Sequence, residues 1–144
     1  MNIIQRDALK ALKPLAGNIP QEISRRGLTG LIGELSTCQL LKLSWQPFNG
    51  YDAVDRKGKQ VQIKTRRDSN GGNVNRQGTT GKFTNFNFDY ALYTELDSNF
   101  EVTAVYKLGK EAIQRFARPN RKDVPVNKFC KYGEKVYPKN RKGH

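Results

Sequence analysis

The sequence predicts an α/β fold in one domain, a β-sheet with helices packed around it. Three observations predict it. Apolar residues recur at spacings of three and four from residue 20 to residue 44, β-rich segments with turn signals between them occupy residues 51–108, and a short helical pattern follows at once. A chain of 144 residues buries enough apolar surface to fold as one unit without metal or disulfide staples.

Residues 3–12 place Ile3, Ile4, Leu9 and Leu12 at near-helical spacing, with Pro14 and Gly17 as the stop, so residues 1–19 read as a helical arm. A second helix runs from Pro20 to about Ser44 through Ile23, Leu28, Leu31, Ile32, Leu35, Leu40, Leu41 and Leu43. Gly27, Gly30 and Gly33 weaken its first half; either it starts nearer Thr29 or these glycines admit a close neighbour. Residues 51–55 and 59–66 read as a hairpin turned at Arg56-Lys57-Gly58. Residues 67–82, rich in glycine and asparagine, read as a loop. Residues 90–96 and 101–108 read as two strands joined at Asp97-Ser98-Asn99. Residues 110–117 read as a helix stopped by Pro119, which closes a core of about residues 20–117. The remaining residues 118–144 form a basic extension, nine Lys/Arg against Asp123 and Glu134, with Val124, Val126, Phe129, Tyr132, Val136 and Tyr137 interleaved.

Composition narrows the chemistry. The net charge of +13 favours a polyphosphate partner, which gains affinity through counterion release. Cys38 and Cys130 are isolated thiols and the sole histidine is His144, which excludes a zinc site, a Cys/His pair and histidine-based hydrolysis. Catalysis in this chain has to run on carboxylates, lysine and a recruited cation. Apolar runs fall short of the ~18 residues a membrane span needs, and Arg6, Asp7 and Lys10 break any signal-peptide pattern. The expectation is a cytoplasmic protein with no membrane partner.

One constellation stands out: Glu34 on the second helix, Asp52 at the opening of the hairpin, and Gln62-Ile63-Lys64 on its second strand. Val61 and Ile63 alternate with Gln62 and Lys64, which share the opposite face. Asp52, the Gln62 amide oxygen and the Ile63 backbone carbonyl are hard oxygen ligands of the kind Mg²⁺ takes. Lys64 stands beside them, suited to orient a nucleophile or to stabilise developing charge. The plain alternative for Glu34 is a solvated helix acid, and for Lys64 a side chain that snorkels at a sheet edge.

The segments Gly33-Glu34, Gly50-Tyr51-Asp52 and Val61-Gln62-Ile63-Lys64-Thr65 resemble the PD-(D/E)-XK nuclease superfamily in its QxK variant, over residues 27–108. The resemblance implies a restriction-endonuclease-like core, a central mixed β-sheet of four to five strands flanked by helices. It also implies cleavage of double-stranded DNA with Mg²⁺, or Mn²⁺ in its place. Asp52 would be the metal ligand, Gln62 a metal or water ligand, Lys64 the water-positioning lysine and Glu34 a ligand at a second or water-linked metal. Gln62 stands where an acid is commoner, and no proline precedes Asp52. Leu28 to Gly33 superficially resembles the LAGLIDADG helix, but that motif's catalytic acid falls on Leu35.

Arg66, Arg67, Arg76 and Lys82 bracket the loop as candidate phosphate contacts, with solvated loop charges as the alternative. Asn73, Asn75 and Gln77 are candidate base contacts, and Arg121 and Lys122 belong to the same candidate nucleic-acid set. Cutting both strands of a duplex with one site per chain predicts a homo-oligomer, a dimer or tetramer. A site-specific enzyme of homing, restriction or mobile-element type is the leading expectation. Beside it stand a junction-type structure-specific nuclease and a non-catalytic DNA- or RNA-binding protein.

Overall fold

The computed structural model describes residues 3–17, 27–46, 50–68 and 78–139. In chain order these form α1 (Ile3–Gly17), α2 (Thr29–Leu41), β1 (Ser44–Trp45), β2 (Ala53–Val54), β3 (Gln60–Arg67), β4 (Thr79–Lys82), β5 (Tyr90–Leu96), β6 (Val102–Gly109), α3 (Lys110–Phe116), β7 (Asp123–Pro125), α4 (Val126–Tyr132) and β8 (Glu134–Tyr137). One six-stranded sheet takes the order β1-β2-β3-β5-β6-β8, and β4 pairs with β7 in a second, two-stranded sheet. Only the β3–β5 step is parallel; every other pair is antiparallel. The architecture is mixed α/β with helices on both faces of the main sheet.

Local chemistry sets the turns. Asp55 Oδ1 accepts the backbone N–H groups of Lys57 and Lys59, each at 2.9 Å, and Gly58 supplies the positive φ of 80° that closes the β2–β3 hairpin. Asp97 does the same between β5 and β6, accepting from Asn99 and Glu101 at 2.9 Å. The helix expected up to Ser44 stops at Leu41, because Lys42 turns left-handed and its N–H closes back onto the Cys38 carbonyl. Its regular α-helical part is described from Thr29, and residues 20–26, where the earlier start falls, lie outside the described residues. Helix α1 runs on through Pro14 to Gly17; the proline costs it one hydrogen bond instead of ending it.

Six strands replace the four to five expected. The additions to the sheet are β1, whose Ser44 is the expected end of the second helix, and β8, drawn from the basic extension. Strand β4 lies inside the stretch read as loop, because its partner β7 is far along the chain and no local alternation marks the pair.

Two cores sandwich the sheet. On one face Val61, Ile63, Leu92 and Val105 meet Cys38 of α2 and Leu43, and Thr37 Oγ1 lies 2.7 Å from Thr94 Oγ1. Helix α1 adds Leu9 against Ile32 and Leu35 of α2. On the other face Ala91, Tyr93, Ala104 and Tyr106 meet Phe83, Ile113, Val124, Val126 and Phe129. Val124, Val126 and Phe129 of the basic stretch thus go inside, while Tyr132, Lys128, Lys131 and Lys135 stay exposed. No helix among the described residues is long and apolar enough to cross a membrane.

Gly33 lets α2 lie against β3, since a Cβ there would fall on the Thr65 side chain, whereas a Cβ at Gly30 would meet nothing within 4 Å. Gly33→Ala is therefore expected to destabilise by ~1–3 kcal/mol. Gly30→Ala should stabilise by up to about 1 kcal/mol through helix propensity. Paired urea titrations check this, and equal midpoints for the two variants would refute the close packing of α2 on β3.

Candidate active site

Strand β3 is eight residues long but β2 only two, and their register ends at Ala53↔Val61. The Asp52 N–H donates to the Val61 carbonyl at 2.9 Å, and the Asp52 carbonyl accepts the Gln46 N–H at 2.8 Å. Asp52 is the last residue tied into this ladder. Its side chain then turns along the uncovered edge of β3, where Oδ2 accepts the Ile63 N–H at 2.8 Å. In an extended strand a residue's N–H and C=O leave on the same edge, so the Ile63 carbonyl points toward the same corner.

Glu34 reaches this corner from α2. Its Oε2 accepts the indole N–H of Trp45 at 3.0 Å, which fixes the carboxylate near the start of the hairpin. Burial pushes the Glu34 carboxyl up to about 7; the Asp52 charge adds to the rise, while the Trp45 N–H and Lys64 oppose it. Burial also raises Asp52 above the ordinary aspartate range, against the pull of the Ile63 N–H and Lys64. Lys64 is lowered by burial, against the attraction of Asp52 and Glu34. The three groups feel one another, and each is held in a place that disfavours its own charge.

Lys64 sits on the other side of the β3 edge, over the second core. Its Nζ donates to the Lys82 carbonyl of β4 at 2.6 Å and lies 4.9 Å from the centre of the Phe83 ring. The two-stranded sheet thus holds the lysine from outside the main sheet. Gln62, half-buried, shares that face of β3 by alternation.

The structure brings Glu34, Asp52, Ile63 and Lys64 together, with Gln62 adjoining. Among the described residues no three His, Cys, Asp or Glu side chains gather in a group that could hold a metal. A cation at this corner would rest on Asp52 and Glu34, completed by the neutral oxygens of Gln62 and Ile63. The fit is electrostatic: two desolvated carboxylates, with the Asp52 charge raising the proton affinity of Glu34, are what a divalent ion relieves. Burial pushes the neighbouring Cys38 thiol up to about 12, with Glu34 and Asp52 adding to the rise, so a thiolate nucleophile is absent at neutral pH.

The candidate nucleic-acid residues fall into three groups. Arg76, Asn73, Asn75 and Gln77 lie outside the described residues. Arg67 is engaged within the fold, Nη2 donating to the Ser98 carbonyl at 2.7 Å and the guanidinium 3.9 Å from the Phe100 ring centre; Arg66 packs against Gly78. Lys82, closing β4, and Arg121 and Lys122, just before β7, are exposed, and the Phe83 N–H donates to the Lys122 carbonyl at 2.8 Å. They make a basic rim beside Lys64.

Trp45, Phe83 and the Lys82 carbonyl escaped the sequence reading. Only Trp45 carried a usable signal: it is the sole tryptophan, and a packed indole needs an acceptor for its N–H. No protein-family model matches the sequence, and no curated protein matches it either.

Proposed function

We propose that this protein is a magnesium-dependent DNA endonuclease on a restriction-endonuclease-like core, site-specific on double-stranded DNA and acting as a homo-oligomer. The observation that supports the reading is the corner itself: two desolvated carboxylates, a desolvated lysine and a strand-edge peptide, drawn from α2, the head of β2 and β3. Bound there, Mg²⁺, or Mn²⁺ in its place, would lower the pKa of water and neutralise phosphate charge.

The chain's own groups do the rest. The Ile63 N–H fixes one oxygen of Asp52, and the other would remain for a cation. Trp45 fixes Glu34 in the same way. Lys64, tethered by its Nζ to the Lys82 carbonyl, would orient an attacking water or stabilise charge on the scissile phosphate. Lys82, Arg121 and Lys122 give a phosphate backbone a positive rim alongside.

The test incubates the purified protein with supercoiled plasmid, genomic DNA and structured RNA, in Mg²⁺, Mn²⁺ or chelator. Nicking or linearisation of DNA that needs the metal is the expected result. Tight, salt-sensitive DNA binding with no cut in either metal would mark a non-catalytic binding protein, and cleavage confined to RNA would move the substrate class.

A further inference from the structure

A second surface, outside the cleavage corner, has the makeup of a nucleic-acid contact of a different kind. The rings of Phe116, closing α3, and Tyr132, closing α4, stack with centroids 5.0 Å apart and planes 27° apart. Tyr132 keeps 56% of its surface exposed and is the sole aromatic among the large apolar side chains exposed in the described residues. Phe116 stacks on the tyrosine ring, and more than half of the Tyr132 surface stays exposed beside it. Three cations surround the pair: Arg115 at 5.3 Å and Lys128 at 5.6 Å from the Phe116 centroid, and Lys131 at 5.3 Å from that of Tyr132.

Charge over the wider face is one-sided. Leaving out Arg121 and Lys122, which rim the cleavage corner, residues 110–135 hold six Lys/Arg against three Asp/Glu, and one of those acids, Asp123, is taken by Arg118 in a two-pronged pair at 2.6 Å for each contact. An exposed aromatic ring, stacked on a second and ringed by cations, matches a chain that alternates flat π-faces with phosphates. In duplex DNA the bases are already stacked on one another and present only edges and backbone. In a single strand their faces are free.

We propose that the Phe116–Tyr132 face binds a single-stranded nucleic-acid segment, with an unpaired base stacked on Tyr132 and its flanking phosphates on Lys128 and Lys131. The inference rests on the nucleic-acid part of the function proposed above and is independent of cleavage.

Fluorescence anisotropy of the full chain in chelator, with oligothymidylate, oligouridylate and a duplex of equal length, tests it. Tyr132→Ala should weaken binding of the single strands about tenfold, within the range for losing one stacked base, and leave duplex affinity unchanged. Tyr132→Phe should restore single-strand binding. Lys128→Gln combined with Lys131→Gln should reduce the slope of log affinity against log salt by about 1.4, two contacts at ~0.7 each. The inference is overturned if Tyr132→Ala binds the single strands as the unsubstituted protein does, if it loses single strand and duplex alike, or if the unsubstituted protein binds duplex alone. Binding to none of the probes would overturn both this inference and the nucleic-acid reading of the cleavage corner.

Discussion

Asp52→Asn is expected to cut metal-dependent DNA cleavage by about 10³-fold or more, and Lys64→Met by about 10²–10³-fold, the range seen when one preorganised electrostatic partner is lost. The two losses have different sources. Asn keeps the shape of Asp52 and one oxygen for the Ile63 N–H, but removes the charge that would hold a cation. Met keeps the length of the lysine stem over Phe83 while removing the proton donor. Neither change should unfold the protein, because burial already disfavours both charges, and melting temperatures should stay level or rise. Single-turnover plasmid nicking with matched melting curves checks this. A variant that is folded, binds DNA and nicks within tenfold of the unsubstituted protein would remove its residue from the active site.

Stability should fall as pH rises from 5 to 8, and Glu34 should be a main cause. Its carboxyl moves from an ordinary 4.5 to about 7 in the folded chain, so the folded state holds a proton that the unfolded state releases. The stabilisation is complete below about 4.5 and is lost as pH climbs through about 7. The gap corresponds to on the order of 3 kcal/mol. Asp52, also raised by burial, acts in the same direction. Glu34→Gln cannot take part, so its stability should be flatter across this window and higher than that of the unsubstituted protein at pH 8. Mg²⁺ should reverse the order at pH 8, raising the melting temperature of the unsubstituted protein more than that of the variant. Equal pH slopes for the two proteins would assign the titration to another group.

Much of the site was legible because it depends on short-range pattern. The β2–β3 hairpin carries its turn in Asp55 to Gly58, and alternation along β3 puts Gln62 and Lys64 on one face whatever surrounds them. Strands β5 and β6 announce themselves by apolar, aromatic and β-branched runs, and appear within a residue of their expected bounds. What stayed hidden depends on partners distant in sequence. Thr79–Lys82 becomes a strand through β7, and Ser44–Trp45 through a two-residue register with β2. The support of Lys64 by the Lys82 carbonyl is equally invisible, because a backbone oxygen has no residue type to betray it. Glu34 could be suspected from its place on a helix, but its tie to Trp45 rests on where the chain turns at Lys42, a residue with no glycine signature for its left-handed conformation.

The main sheet ends on one side in a strand of two residues and on the other in one of four that carries Glu134 and Lys135. So brief and charged a border offers an incoming strand few free N–H and C=O groups to pair with. Runaway strand-on-strand aggregation is thereby discouraged even though the sheet itself is rich in valine and tyrosine. The same brevity makes either border a poor seam for joining two copies into one continuous sheet.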